Sequence, residues 1–499
     1  GNQGADDNVA IGHQALYTNT SGANNTAVGK NSLYYNTTAS ANTAVGNLAL
    51  TANTTGASNT GVGNNVLTAN TTGTQNTAVG TNALDANTTA TNNTAVGFSA
   101  LSANTTGCPN SALGYQGLYS NTTGANNTGL GHQALRNSTE GDDNTAVGDK
   151  ALCANTTGAD VTAVGASALA ANTTGANNVA VGHDALFTNT DCNNNTGLGT
   201  FALRLNDAGD NTAVGFVALC SNTTGTSNVA VGIYALDANT TASNNVAVGY
   251  GSLSANTTGG TSVAVGTSAA AAQTTGHKNT AVGHEALKAN QTTQCNTAIG
   301  AGALEVNVQG DNTAVGVTSL VANTDGYQNT AYGHRSGNTT TTGYANTYIG
   351  RTAVGSAADN NNEVVVGAAL TGKGTATAFI GGSSGAYNAE NNAAWTTTSD
   401  RRIKKNIVDN NIGLEKINKI KVRNFEYKTK DEITELPTHS AIDKKGIQVG
   451  VIAQEIEEVL PDTVKTQSTG VKAVNPDNIL WYLVNAVKEL KKEIEELKK

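Results

Sequence analysis

The stretch Asn42–Ser58, NTAVGNLALTANTTGAS, recurs with small changes along most of the chain. Aligned on the glycine of NTAVG, the repeat puts Gly12, Gly29, Gly46, Gly63, Gly80 and Gly97 seventeen residues apart and runs on to Gly367. Only the steps from Gly199 to Gly215 and from Gly300 to Gly316 are shorter, each by one residue, so twenty-two repeats are present. A unit this short cannot enclose a core of its own, and a fixed period then signals coils that stack and lean on their neighbours.

Composition agrees with a repetitive structural chain and excludes an ordinary globular enzyme. Of 499 residues only 13% are charged and 4% aromatic, and 57 glycines stand against 4 prolines. Abundant Asn, Thr, Gly and Ala would suit disorder if the apolar residues were scattered, but they recur in fixed slots. Within a repeat Val45 and Leu50 hold the recurrent large apolar positions, and the Thr-Ala-Val segment alternates between faces with period two. The expected fold is mainly β, a long parallel β-solenoid of 17-residue coils, with Val45 stacked over Val28 and Leu50 over Leu33 as the buried ladders. At about 4.8 Å per coil the rod spans roughly 100 Å.

Ala44 points away from Val45, onto a face that also carries glycine, and stays small in nearly every repeat. That slot is expected to admit the backbone of another subunit. The two slots after the ladder glycine take His, Lys, Asn, Phe, Tyr, Asp and Ile in different repeats and are expected to be exposed.

Other patterns in the rod have plain readings. Among the five cysteines only Cys153 and Cys220 share a slot, and four coils separate them by roughly 19 Å, beyond disulfide reach. The Asn-X-Thr sequons are expected to stack and bond in the turns and not to carry sugar. His13, His132, His183, His284 and His334 all follow a ladder glycine but never in adjacent coils, so no metal site is expected and no cofactor is implied. Through Ser399 the chain holds 9 basic and 20 acidic residues, a balance that repels nucleic acid. No run is long or apolar enough to enter a membrane, and none has the form of a signal peptide. With no methionine anywhere, the sequence is expected to be a fragment or a processed product.

The NTAVG and NVAVG rungs, the latter at Asn178–Gly182, resemble those in the heads of trimeric autotransporter adhesins and similar phage fibres. The resemblance implies a left-handed β-roll assembled as a homotrimer. The unit is longer here, and the extra ANTTG residues make a larger turn.

Past Gly367 the regularity stops. Residues 1–377 form the rod, and 378–398, beginning AFIGGSSGAYNAENNAAW, read as a neck or closing segment. Residues 399–499 differ in kind: from Asp400 onward lie 19 of the 28 basic and 17 of the 37 acidic residues. RNFEY (Arg423–Tyr427) and IQVGVIAQEI (Ile447–Ile456) read as strand material, the second running into a helix. The terminal segment spaces Leu480, Leu483, Val487, Leu490, Ile494 and Leu497 at alternating steps of three and four, a heptad seam compatible with a trimer, with Asp477 near its N-cap. Packing of the helix's first half on its own domain is the alternative use of that seam.

In order, SDRRIKKNI, the F-E-Y strand, GVIAQEIEEVLP and the heptad helix resemble the endosialidase-type intramolecular chaperone at the C-termini of phage tail spikes and fibres. The resemblance implies an α+β domain, ending in a coiled-coil helix, that trimerises, aligns the upstream β-structure and is released by self-cleavage. On that basis Ser399 is the nucleophile, Lys404 the general base and Ser399–Asp400 the bond cut, while Leu483, Val487, Leu490, Ile494 and Leu497 form the trimerisation helix. A serine hydroxyl needs such a base, and a lysine serves only when burial or neighbouring cations lower its pKa; Arg401, Arg402 and Lys405 stand beside it.

The expected role is a trimeric fibre or adhesin, viral in type, on a virion tail or cell surface, whose exposed slots such as Phe98, Tyr115 and Tyr250 meet a host or surface receptor, possibly a glycan. The alternatives are an ice- or mineral-binding solenoid built on ladders such as Thr54/Thr55, Thr71/Thr72 and Thr88/Thr89, and a passive spacer. No carboxylate pair of glycosidase type is identifiable, so the rod is expected to have no enzyme activity.

Overall fold

The computed structural model describes residues 5–381, 386–389, 401–435, 445–466 and 471–498. The chain divides into two compact units, Gly1–Thr397 and Thr398–Lys499.

The first unit is a parallel β-solenoid. Each coil contributes one three-residue strand, from β1 (Val9–Ile11) to β22 (Val364–Val366), and every strand pairs in parallel with the next. Register is kept residue for residue, as in Thr43 to Thr60, Ala44 to Gly61 and Val45 to Val62. A twenty-third parallel strand, β23 (Thr377–Ile380), continues the ladder, and β24 (Ala386–Ala389) closes it antiparallel. Outside the strands the turns also bond between coils: the Leu50 N–H donates to Val66 O at 2.9 Å and that of Thr54 to Thr71 O at 3.0 Å. A β-solenoid of 17-residue coils is therefore what the period encodes.

The core is not the one the sequence suggested. Ala44, Ala49 and Leu50 are fully buried, whereas Val45 is only half-buried and points outward, as do its counterparts in every coil. The expected Leu ladder exists; the expected Val ladder faces solvent, and the alanine face assigned to a subunit contact lies inside the coil. The cause is the turn after the strand. Leu50 sits in the left-handed region at φ 51°, which swings its side chain across the coil interior. That conformation costs about 1–2 kcal/mol for an L-residue, offset by the about 1.5–3 kcal/mol from burying the side chain. With the interior filled, the facing strand position admits a methyl and little more: a Cβ added at Gly61 would lie 3.4 Å from Leu50 Cδ1. At the ladder glycines the limit is backbone. A Cβ on Gly46 would meet Gly63 O at 2.1 Å, with φ at 137°.

Asparagine completes the core. Asn42 and Asn53 are fully buried, as are most of their counterparts. Asn53 Nδ2 donates to Asn36 Oδ1 one coil below at 3.0 Å and to Gly56 O at 2.9 Å, while Asn42 Oδ1 accepts the Asn59 N–H at 2.9 Å. Two amide ladders thus satisfy turn groups that would otherwise be buried unpaired. The sequon asparagines hold the coils together from inside, which explains the recurrence of Asn-Thr-Thr without sugar.

One coil pair repacks. Gly337 replaces the ladder leucine and Tyr348 the following strand alanine; the ring, fully buried, fills the vacated volume, and Thr340 Oγ1 donates to its hydroxyl at 3.1 Å. Burial pushes the Tyr348 phenol up to about 12.

The second unit is small and α/β. Strands β25 (Arg423–Phe425) and β26 (Gln448–Gly450) pair antiparallel, as do β27 (Val464–Thr466) and β28 (Lys472–Val474). Around them lie α1 (Leu414–Ile417), α2 (Ala453–Val459) and the long α3 (Pro476–Leu497). Ile456, Leu460 and Tyr482 form its core, with Ile412, Val451, Val464 and Ile479 packed against them.

Candidate self-processing and assembly site

Helix α3 begins at Pro476, whose missing N–H costs nothing at that position, and is capped by Asn475, whose side chain accepts the Asp477 N–H at 3.1 Å. The cap is thus two residues before Asp477, the residue expected near it. The two faces of α3 differ, one packed on its own unit and the other exposed. Toward its own unit it turns Ile479, Tyr482 and Ala486. Asn485 Nδ2 donates to Asn410 O at 2.7 Å and to Ile412 O at 3.2 Å, and Glu489 accepts the Leu414 N–H at 2.7 Å. A Cβ at Gly413 would press on that carboxylate and shift it off the Leu414 N–H. The Tyr482 hydroxyl donates to Asp462; that bond, ahead of burial, pushes the phenol above its ordinary value.

The other face is the heptad seam. Leu480, Leu483, Val487, Leu490, Ile494 and Leu497 are all exposed, Val487 at 58%. From its first turn, then, the helix packs on its unit with one set of residues and presents the seam with another. Sequence reasoning missed Asn485 and Glu489. Their spacing of four, opposite the seam, was the available signal, but their backbone partners lie more than seventy residues away.

Ser399 and Asp400 lie outside the described residues. Lys404 follows a 3-10 turn, Arg401–Ile403, and its N–H donates to Arg401 O at 3.2 Å. The side chains of Arg401, Arg402, Lys404 and Lys405 are exposed on the single chain. The cationic cluster is a surface feature of this unit and no part of its core.

On the rod, the first slot after the ladder glycine is mostly exposed, whereas the second, expected to be exposed too, is half-buried in most coils and buried at Ser99; together they carry aromatic runs. Phe98, Tyr115 and His132 stack face to face, 5.5 and 5.4 Å between centroids, ending in His132 against Asp149 at 2.7 Å. A second run joins His183, Phe201, Phe216, Tyr234 and Tyr250, mostly edge to face. The threonine ladders are less available. Thr54 and Thr71 each donate their hydroxyl to a carbonyl of the next coil, leaving only the Thr55 row turned outward. Asp191, Cys192 and Asp207 bring three ligand-type atoms within 4.8 Å of one another. Burial first, then the two carboxylates, push the Cys192 thiol up to about 11.

The class defined by these features is a stacked-coil β-solenoid followed by a small α/β unit that exposes a heptad helix. Residues 399–465 match the family model described as "Chaperone of endosialidase". The match begins at the serine of SDRRIKKNI and ends before α3. No curated protein matches the chain. A β-solenoid ahead of residues that match this family fits a phage tail-fibre-like protein.

Proposed function

We propose that this chain is the rod of a homotrimeric, tail-fibre-type appendage whose C-terminal unit aligns three chains, drives folding of the solenoid and is then cut away. The match of residues 399–465 directly behind twenty-three parallel strands carries this reading. Near-identical coils have no internal mark of register, so three rods starting from free ends can slip by whole coils. A parallel seam formed by Leu483, Val487, Leu490, Ile494 and Leu497 removes that freedom by fixing three chains at one end.

Release follows from the same site. Lys404 takes the proton of Ser399 Oγ as that oxygen adds to the scissile carbonyl and returns it to the departing Asp400 amine, and water then hydrolyses the resulting ester, leaving a carboxylate on Ser399 and the freed serine hydroxyl. A lysine works as a base only where burial or neighbouring cations favour its neutral form. Chain–chain contact around Arg401, Arg402 and Lys405 supplies that change, which couples cleavage to assembly. The mature rod then meets a host or surface receptor through its exposed slots.

The test is the intact mass of the full chain beside its Ser399→Ala variant. Wild type yields the rod and a hundred-residue fragment, Asp400 to Lys499, while the variant stays whole. If both remain whole as trimers, the unit is a permanent cap and Ser399 and Lys404 lose these roles.

A further inference from the structure

We infer that the outward Thr/Val face of the solenoid sheet is the surface along which copies of this chain pack, so that these rows form the axial core of the fibre. The inference rests on the trimeric reading above and adds where the rods touch.

The slot of Val45 is apolar in all twenty-three parallel strands, from Ile11 through Leu113, Val164 and Tyr332 to Ile380, without one polar or charged residue. None of these side chains enters the core of its own coil. Ile11, Leu113 and Tyr332 are 60%, 51% and 57% exposed, and the typical valines are half-buried. The accompanying slot, that of Thr43, holds only Thr, Ser or Val from β1 to β22. Two positions beyond Val45 the restriction ends: the same edge carries Lys30, Asp149, His183 and Arg351. A row kept apolar without burial inside the chain, next to a row free to take charge, is the pattern of a covered surface.

The area is adequate. With about 60–120 Å² for a whole valine side chain and about a third of it exposed at most in nearly every coil, the Val45 row leaves up to roughly 20–40 Å² per coil. Over twenty-three strands that is on the order of 500–900 Å² per rod before the half-buried Thr43 row is added, against the about 800 Å² each partner contributes to an ordinary stable interface. The repeat selects the occupant. A face with one row per coil is matched along its whole length only by a face of the same spacing, and another copy of this rod has it. The acidic excess of the rod lies off this face, so flank repulsion also favours contact through the uncharged rows.

The test places single cysteines in the full chain, Val164→Cys on this face and Thr174→Cys on an exposed turn of the same coil, with the unmodified chain giving the background of the native cysteines. In assembled protein Val164→Cys should form disulfide-linked chain pairs on mild oxidation and react with a bulky maleimide about tenfold or more slowly than Thr174→Cys. Val282→Cys repeats the test if Val164→Cys misfolds. A native mass of three chains with Val164→Cys unlinked and labelled as fast as Thr174→Cys overturns this inference and leaves the trimer standing, the face then being free for an ice plane or a host surface. A native mass of one chain removes the trimeric reading and this inference together.

Discussion

Asn70 offers the sharpest test of the polar core. Its Nδ2 donates to Asn53 Oδ1 at 2.8 Å and to Gly73 O at 3.0 Å, and its Oδ1 accepts from Asn87 Nδ2 at 2.7 Å, all with no solvent exposure. Asn70→Ala removes three bonds but does not orphan every partner. Gly73 O keeps the Asn59 Nδ2 donor and Asn87 Nδ2 keeps Ala90 O, whereas Asn53 Oδ1 loses its donor altogether. Three net bonds at about 0.5–1.5 kcal/mol each, with one buried acceptor left unpaired, give about 3–5 kcal/mol. Because stability in a stacked array is local, the loss should be read by hydrogen exchange in the flanking strands Thr60–Val62 and Thr77–Val79. There, protection should fall about a hundredfold or more, since each 1.4 kcal/mol is a factor of ten. The exposed Asn47→Ala, which breaks only a surface amide contact to Asn64, should change it by less than about 0.5 kcal/mol. Equal, small effects from the two variants would refute the claim that the amide ladder holds the coils.

Four further outcomes are expected. At Ser138 the ladder is interrupted and Asn121 Oδ1 has no donor, so Ser138→Asn should raise thermal stability, by about 1–2 kcal/mol locally. Tyr348→Ala should cost about 3–5 kcal/mol by cavity formation and Gly337→Leu about 1–3 kcal/mol by collision with Tyr348 and Leu320, yet the double variant should recover most of the loss; additive losses in denaturant unfolding would contradict the complementary packing. The Tyr348 phenol, ordinarily near 10, keeps its proton to about 12 in the fold, so the unfolded chain ionises first. Its contribution is therefore complete below pH 10 and lost from 10 to 12, at most about 2–3 kcal/mol, and Tyr348→Phe should flatten that part of the unfolding profile. Val487→Lys should leave the far-ultraviolet circular dichroism of the C-terminal unit unchanged while sedimentation shows loss of the trimer; a trimer that survives would show that the seam is not the contact.

The sequence alone established the period and parallel stacking of the coils, because each depends on recurrence along the chain, but its twenty-two repeats stopped one strand short of the ladder, which continues at Thr377–Ile380. The exposed apolar row of α3 was legible for the same reason. Recurrence did not reveal which side of a three-residue strand is inside. Ala44 and Val45 alternate whichever way the strand faces, and the larger residue was the natural choice for the core. The tertiary structure decided otherwise because Leu50, turned inward at positive φ, and the buried amides of Asn42 and Asn53 already fill the coil. Only a methyl fits opposite them, so alanine goes in and valine goes out. Hidden from sequence for a related reason were Asn485 and Glu489, whose backbone partners come within reach only when the second unit folds.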